Sequence, residues 1–469
     1  MGEPQWDVVI VGSGAAGLCA AIEAHDAGAR VLVLESQGEP GGSSRISGGM
    51  MLAAGTELQR RHGIEDSADA FYHDYLMHTQ WKVLPGAARR IADDSAPSIA
   101  WLEGMGVEFY DFLSDAGYDG VPRTHSAVGR GAGVIEPLLE RTAERGIEIR
   151  CRSRVTSLLT EGERVTGVET ADERVTARQV ILATGGFGAN FDLVRELIPA
   201  TQKAGDWLWY IGADGAQGDA LGLVEPLGVP IVGHGRGVVM TTPGFTTEAF
   251  EGYLPGWMML VNNRGLRFCD ESLPYGLMDG LVREQGDEAW VVFDDAAKNA
   301  ALPGAPAAYR LQIPSLPGRP SPNWDRDIID AQVAAGRVAR ADTLDELARI
   351  TSLPADTLRG TVARYNELAR AGEDADFGKR AEFLRTVETG PFYAARLRLA
   401  TVCLTCVGPA VDRDGRVLGA GGVVDGLLAA GECTGGTLGD RYVGTGNSWI
   451  NCVVFGRAAG RTAAAAALA

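Results

Sequence analysis

The sequence is poor in cysteine and has no surplus of positive charge, and both shortages narrow what it can be. Its seven cysteines in 469 residues are odd in number and irregular in spacing, so they form no disulfide framework of the kind that staples small secreted domains. Cys403 and Cys406 do make a CxxC pair. A redox or zinc pair calls for a helix N-terminus or a second such pair, whereas TVCLTCVGPAV reads as a buried strand, which predicts core cysteines and no metal site. Lys and Arg total 43 against 61 Asp and Glu, a formal net charge of −18 that repels nucleic acid phosphates and anionic membranes. No nucleic acid partner is expected. Gly, Pro or charge interrupts every apolar run before the roughly 18 to 20 residues of a membrane span. The opening MGEPQWDVVIVG has neither a cationic leader nor a small-residue cleavage site, so the expectation is a cytoplasmic protein without an integral membrane segment.

What is present is the composition of an ordinary globular chain, 45% apolar and 22% charged. Single cores stop growing near roughly 250 to 300 residues, so this length predicts two domains. Residues 6 to 35 run WDVVIV, GSGAAG, LCAAIEAHDAGA and RVLVLE: strand, glycine-rich turn, helix and strand, one complete βαβ unit. RVTGVETADERVTARQVILATGG predicts a hairpin feeding another buried strand, and VDGLLAAGECTGG near the other end predicts a strand followed by a glycine-rich turn. From about Val239 to Leu397 the composition shifts to Pro-rich loops, with helices expected over Asp342 to Ile350 and Ala355 to Ala371. Pro354 and Asp356 suit the first turn of the second helix. A domain inserted into the first is the economical reading.

Gly12, Gly14 and Gly17 form GxGxxG, in which the three glycines serve the tight turn, backbone approach to a pyrophosphate and close helix packing. Phosphate binds at such a helix start because its N–H groups and dipole favour negative charge. Glu35 closes the second strand, where an acid hydrogen bonds a ribose 2′-OH and disfavours the 2′-phosphate of NADP. An extended flavin also needs distant segments. Gly41, Gly42, Ser43 and Ser44 form a small-residue loop, Ala183 to Gly186 close a later strand, and Ala430, Gly431 and Glu432 precede a second glycine cluster. Their type and order resemble flavoproteins of the glutathione-reductase-like superfamily, which implies that Glu432 contacts the ribityl chain.

EPGGSSRISGGMM, ATGGFGAN, VNNRGLRFCDE, AAGECTGG and NSWINCVVFGRAAG together resemble the FAD-dependent fumarate reductase and 3-ketosteroid dehydrogenase family over nearly the whole chain. The resemblance implies an α/β fold: a glutathione-reductase-like, Rossmann-type FAD domain built from both chain ends, 1–238 and 398–469, with an inserted α+β capping domain at 239–397. It implies FAD as cofactor and the following set around it: Gly12, Gly14, Ala15, Ala16, Gly17, Glu35, Ser36, Gly42, Ser43, Ser44, Ser47, Gly48, Gly49, Val155, Ala183, Thr184, Gly185, Gly186, Gly431, Glu432, Gly446, Asn447, Ser448 and Ile450. Asn447 and Ser448 begin the last helix, where backbone donors can face the flavin; ordinary N-capping by the same residues is compatible with that. No second GxGxxG follows a strand, so flavin electrons must exchange with a substrate, an external carrier or oxygen.

Fumarate reductases of this family hold a dicarboxylate with His and Arg, and an Arg after NxxGxRFxxE donates the proton. Here that position is Tyr275, and CLTCVG at Cys403 to Gly408 replaces the His-bearing segment. Loss of both charges favours a neutral, apolar ketone substrate. Tyr275 resembles the tyrosine that takes the proton next to the ketone in 3-ketosteroid dehydrogenases; packing beside Pro274 is the plain alternative. Tyr442 to Gly446 is similar to the YxGxG of Δ1-ketosteroid dehydrogenases, implying that the Tyr442 hydroxyl and the Gly446 amide grip the carbonyl. Removing a proton α to a ketone builds charge on that oxygen, and fixed donors there contribute roughly 3 to 4 kcal/mol each. Tyr118 is a candidate helper, with Tyr110 an equal rival on spacing and a surface aromatic the alternative for both. His125 and His234 read as core or surface residues. The expected reaction is α,β-dehydrogenation of a ketone, 3-ketosteroid Δ1- or Δ4-dehydrogenase-like, with the proton going to Tyr275, the hydride to flavin N5 and the electrons to an external acceptor. The first rival is a fumarate-reductase-like ene-reductase acting on an unsaturated acid or enone, for which Arg441 is the one supporting residue. The second, a flavin carrier without turnover, conflicts with a long insertion that keeps a polar motif.

Overall fold

Trp6–Val11 and Val31–Leu34 have no polar face, so they suit the centre of a sheet covered on both sides. In the computed structural model, which describes residues 4–115, 120–245, 254–300, 324–439 and 441–469, they pair in parallel from Val8 with Val31 to Val11 with Leu34. The free edge of Trp6–Val11 takes Arg174–Leu182, and Gly422–Ala429 joins beyond it, both in parallel. Glu148–Arg150 closes the opposite side and Arg416–Gly419 the near one. A strand from the end of the chain therefore lies two places from the first strand. The expected hairpin is present as Arg164–Thr170 and Arg174–Leu182, with Val155–Glu161 added outside it.

The first and last helices, Ala15–Asp26 and Asn447–Leu468, pack against one another. A Cβ added at Gly456 or Gly460 would lie 2.4 Å from the carbonyl oxygen of Ala16 or Ala20, so small residues at i and i+4 set how near the two backbones come. A three-stranded antiparallel sheet of Met50–Leu52, Pro122–Ala127 and Phe109–Asp115 belongs to the same unit. So does the helix Ala68–His78, whose N-cap Ser67 accepts from the Ala70 amide.

The chain divides into two compact units, Met1–Pro199, Gly212–Val238 and Cys403–Ala469 in the first, Ala200–Ile211 and Val239–Val402 in the second. The second is organised on the long strand Phe392–Thr405. Glu288–Asp294 and Val338–Ala341 pair with it antiparallel, and Met259–Val261 continues from Glu288–Asp294. Leu344–Thr351 and Ala355–Ala371 cover this sheet, burying Leu347, Leu358, Val362 and Tyr365 with Met259, Val261 and Val292. The second helix has its expected limits. The first starts at Leu344 instead of Asp342, because Thr343 is its cap and accepts from the Glu346 amide. The expected return to the first domain at 398 falls inside Phe392–Thr405, and the change of unit comes at 402 instead. Residues 200–211 were expected in the first domain and lie in the second unit, because Trp209 and Tyr210 pair with Thr401 and Val402. Among the described residues no helix is long and apolar enough to cross a membrane, and no group of three or more His, Cys, Asp or Glu could hold a metal ion.

Candidate functional site

Val11, Leu34, Leu182 and Ala429 stand at one level in the parallel sheet, each in register with its neighbour. The chain leaves all four strands at this carboxyl edge, where open α/β sheets take their ligands. An open cavity lies there. Its walls include Gly12, Gly14, Ala15, Ala16, Glu35, Ser36, Gly42, Ser43, Ser44, Val155, Ala183, Thr184, Gly185, Gly431 and Glu432. The structure thus brings together the residues expected at three separate stretches of sequence.

The turn that opens the cavity is set by contact. Gly12 has φ +105°, and a Cβ on it would lie 2.3 Å from the Ala183 carbonyl oxygen. Gly14 differs, since its Cβ would meet nothing closer than Ser44 Oγ at 3.6 Å. The bare backbone at Gly14 therefore serves the cavity and not the packing. Ala15–Asp26 starts at this wall without a side-chain cap, presenting the positive end of its dipole. Glu35 is buried and accepts from the Ser13 amide at 3.0 Å, the Ser13 hydroxyl and the Gln37 amide at 2.8 Å. The Ser36 hydroxyl adds a longer bond at 3.3 Å, so four donors already meet the about four acceptor sites of this carboxylate, and a ribose hydroxyl would take the place of that longest one. At the far end, Glu432 accepts from the Thr405 amide at 2.9 Å and the Thr405 hydroxyl at 3.1 Å. Burial outweighs both bonds and pushes this carboxyl up to about 7. Burial likewise pushes the Cys452 thiol, also in the wall, up to about 12.

A second cluster forms where the last helix starts. Gly446 precedes it at φ +107°, with the Met51 backbone 2.7 Å from where a Cβ would stand. The Ser448 amide donates to the Tyr442 hydroxyl at 3.1 Å, and that hydroxyl donates to Ser448 Oγ at 3.2 Å. The Gly446 amide acts on the same phenol oxygen. These donors favour the phenolate, but burial dominates and pushes Tyr442 up to about 12. Tyr442 is therefore a protonated donor at neutral pH. The expected N-capping is corrected: the helix has no side-chain cap, and Asn447 Nδ2 donates instead to the Tyr75 hydroxyl at 2.8 Å.

The family model for the FAD binding domain matches residues 7–449. The chain belongs to this FAD-binding family. Its cofactor is FAD, and it is an oxidoreductase acting on CH–CH groups. The fumarate reductase (cytochrome) of Shewanella frigidimarina is 31% identical over 480 residues, covering 98% of this chain and 77% of the relative. The NADH:fumarate oxidoreductase of Klebsiella pneumoniae (strain 342) is 31% identical over 478 residues, covering 98% of this chain. The chain spans 48% of that relative's length. In fold it is similar to the 3-ketosteroid-Δ4-(5α)-dehydrogenase of Rhodococcus jostii RHA1, at a TM-score of 0.80 and 24% identity over 99% of this chain and 98% of the other.

The cavity fits FAD: a helix start without side chains for phosphate, a buried acid for ribose, and a wall that runs on to Glu432. Several residues of the expected FAD set stand outside its walls. Gly17 packs on the Gly12 carbonyl, Gly49 on the backbone of Arg130, Gly48 on the Met50 side chain, and Gly186 on Thr405 and Glu432. Ser47 accepts from Trp449 Nε1 at 2.7 Å, and the buried Ile450 donates its amide to the Gly446 carbonyl. Gly446, Asn447 and Ser448 belong to the Tyr442 cluster. Sequence reasoning missed Ser13, Arg154, Asp219 and Cys452 in the wall. Ser13 lies inside GxGxxG and was within reach of that motif. Arg154 and Asp219 form an ion pair at 2.6 Å that no local pattern announces. Burial raises the Asp219 carboxyl against the opposing pull of Arg154.

Tyr275 heads the helix Tyr275–Glu284, directly after Pro274, in the second unit, while Tyr442 is in the first. Tyr118 lies outside the described residues. Tyr110 is half-buried and stacks on Phe112 at 5.5 Å. His125 is a core residue between Thr56 Oγ1 at 2.8 Å and the Arg123 carbonyl at 2.9 Å, and burial drives its ring down to about 4. His234 is exposed. Cys406 is buried, but Cys403 is half-buried, which corrects the expectation of two core cysteines; neither forms a disulfide.

Proposed function

We propose that this oxidoreductase introduces a C=C bond α,β to the carbonyl of a neutral, apolar ketone such as a 3-ketosteroid. The first unit is read as a glutathione-reductase-like FAD domain, the second as the capping domain, and the setting as cytoplasmic. The bound FAD supplies the acceptor for the hydride, and an external carrier takes the electrons on. The observation that carries the proposal is Tyr442, a buried phenol kept protonated at the start of the last helix, beside the Gly446 and Ser448 amides. A neutral donor at this point stabilises developing charge on a ketone oxygen without needing an anionic substrate. Tyr275 is assigned the α proton. As the first residue of a helix it stands at the positive end of the dipole, which suits a phenol that must be ionised to accept a proton.

A second reading has its own support. The relatives that the sequence finds include a fumarate reductase (cytochrome) and an NADH:fumarate oxidoreductase, and Arg441 adjoins Tyr442, so reduction of an unsaturated acid or enone is the alternative direction. Anaerobic mixing separates the two. Bleaching of the oxidised flavin by a saturated 3-ketosteroid is the expected result. Rapid reoxidation of the reduced enzyme by fumarate, with no response to the steroid, would overturn the proposal in favour of the reductase.

A further inference from the structure

The described residues from Thr437 to Gly446 form no helix or strand, yet this loop carries Tyr442 and Gly446. One side chain spans its two ends. Tyr75, fully buried on Ala68–His78, donates its hydroxyl proton to the Thr437 carbonyl at 3.0 Å and accepts from Asn447 Nδ2 at 2.8 Å. The loop is also pinned between these points: the Thr124 hydroxyl donates to the Thr445 carbonyl at 3.1 Å, and the Leu52 amide to the Gly446 carbonyl at 3.3 Å. Gly439 sits flush against Thr79, where a Cβ would come within 2.4 Å of the threonine methyl. Those contacts hold single points, whereas Tyr75 fixes the distance between start and finish.

The arrangement is specific to a hydroxyl. A Phe at 75 would fill the same space, so the ring accounts for packing and the oxygen for the loop. Asn447 is buried, and its Oδ1 has no hydrogen-bond partner among the described residues. Without the Tyr75 oxygen, Asn447 Nδ2 would lose this bond too. Burial raises the Tyr75 phenol well above its ordinary value, so the proton given to Thr437 stays in place.

We propose that Tyr75 is a positioning residue that ties Thr437 to Asn447 and so holds the Tyr442 hydroxyl and the Gly446 amide at one place. This rests on the reading of Tyr442 as the donor to the substrate oxygen.

The test uses Tyr75→Phe in the FAD-loaded enzyme, with two readouts. Backbone hydrogen exchange over residues 438–446 is expected to quicken about ten-fold, the scale of one lost buried hydrogen bond, with exchange over Ala15–Asp26 and FAD content unchanged. Unchanged exchange in the loop overturns the proposal. So does general loss of FAD or of secondary structure, because the hydroxyl would then be holding the whole unit. The second readout is the flavin absorbance change with a saturated 3-ketosteroid or with fumarate, whichever the wild type responds to, for Tyr75→Phe, Tyr442→Phe and the double variant. Tyr75→Phe should slow the change about ten-fold in the wild-type background and clearly less in Tyr442→Phe, where the Gly446 amide alone is left to be displaced. Equal slowing in both backgrounds overturns it. A Tyr442→Phe enzyme of normal rate sinks the reading of Tyr442 instead, a result distinct from the exchange outcome.

Discussion

Arg267 grips Glu271 with two hydrogen bonds of 2.9 Å each, both side chains sealed from water four residues before Tyr275. The same guanidinium reaches Asp374 at 2.8 Å, and Lys379 lies 3.3 Å from Glu271. Lys379 donates onward to the Met258 carbonyl at 2.7 Å and the Tyr365 hydroxyl at 2.9 Å. Two cations and two anions thus balance within one buried group, and the arginine and acid of the RFxxE motif are its centre. Burial opposes ionisation of Glu271, yet Lys379 and Arg267 bring its carboxyl below the ordinary range.

Glu271→Ala leaves Arg267 and Lys379 buried with one carboxylate fewer. Breaking a buried pair in this way costs about 3 to 5 kcal/mol. Denaturant unfolding followed by circular dichroism should therefore show a clearly lower midpoint. A midpoint equal to that of the wild type would mean the cluster does not hold the second unit.

Gly12 and Gly14 should respond differently to the same methyl. Gly12→Ala meets the Ala183 backbone in a left-handed conformation and should give little folded protein. Gly14→Ala has room on the protein side, so it should fold with a normal far-ultraviolet spectrum and lose flavin, seen as a low absorbance ratio of flavin to protein. Full FAD occupancy in folded Gly14→Ala would refute the role of this turn in phosphate approach.

Tyr442→Phe and Tyr275→Phe should both purify yellow. Tyr442→Phe is expected to slow flavin reduction by roughly 10² to 10³, the cost of one oxyanion donor. Because burial keeps the Tyr442 proton up to about 12, its ionisation should leave no inflection in the rate between about pH 6 and about pH 10. Tyr275→Phe should abolish reduction, and a near-normal rate would make Tyr275 a packing residue.

Glu432 links stability to pH. Its folded carboxyl is raised to about 7 from 4.5, so the folded state holds the proton more tightly than the unfolded chain. The resulting stabilisation is complete below about pH 4.5 and is lost as pH rises to about 7, a fall of roughly 3 kcal/mol. Glu432→Gln should remove that slope from melting temperatures measured between pH 5 and pH 8. A wild-type slope that persists in the variant would show that another group sets it.

Legibility in the sequence followed range. The βαβ unit, the hairpin and the helix Ala355–Ala371 depend on neighbours within a few residues, and these stand where their patterns place them. Boundaries decided by pairing were less legible. The unit change inside Phe392–Thr405 and the membership of 200–211 follow from strands whose partners lie far along the chain. In the cavity, Gly12 and Glu35 were readable because each belongs to a motif with a local reason, and Glu432 because of a family resemblance. Arg154, Asp219 and Tyr75 were not, since an ion pair or a bridging hydroxyl carries no local signature before the fold exists.

The sequence by itself determined that this chain binds a dinucleotide: a glycine turn between two apolar strands and an acid at the second strand's end leave few other uses, because sterics and hydrogen bonding act there over a handful of residues; that the dinucleotide is FAD came from the family resemblance carried by segments spread along the chain. Only the tertiary structure decided that Tyr442 is a buried neutral donor, that Tyr75 closes its loop, and that Glu432 titrates near neutrality. Burial and electrostatics depend on everything packed around a group, and that surrounding is assembled from segments hundreds of residues apart, Tyr75 and Asn447 being separated by 372.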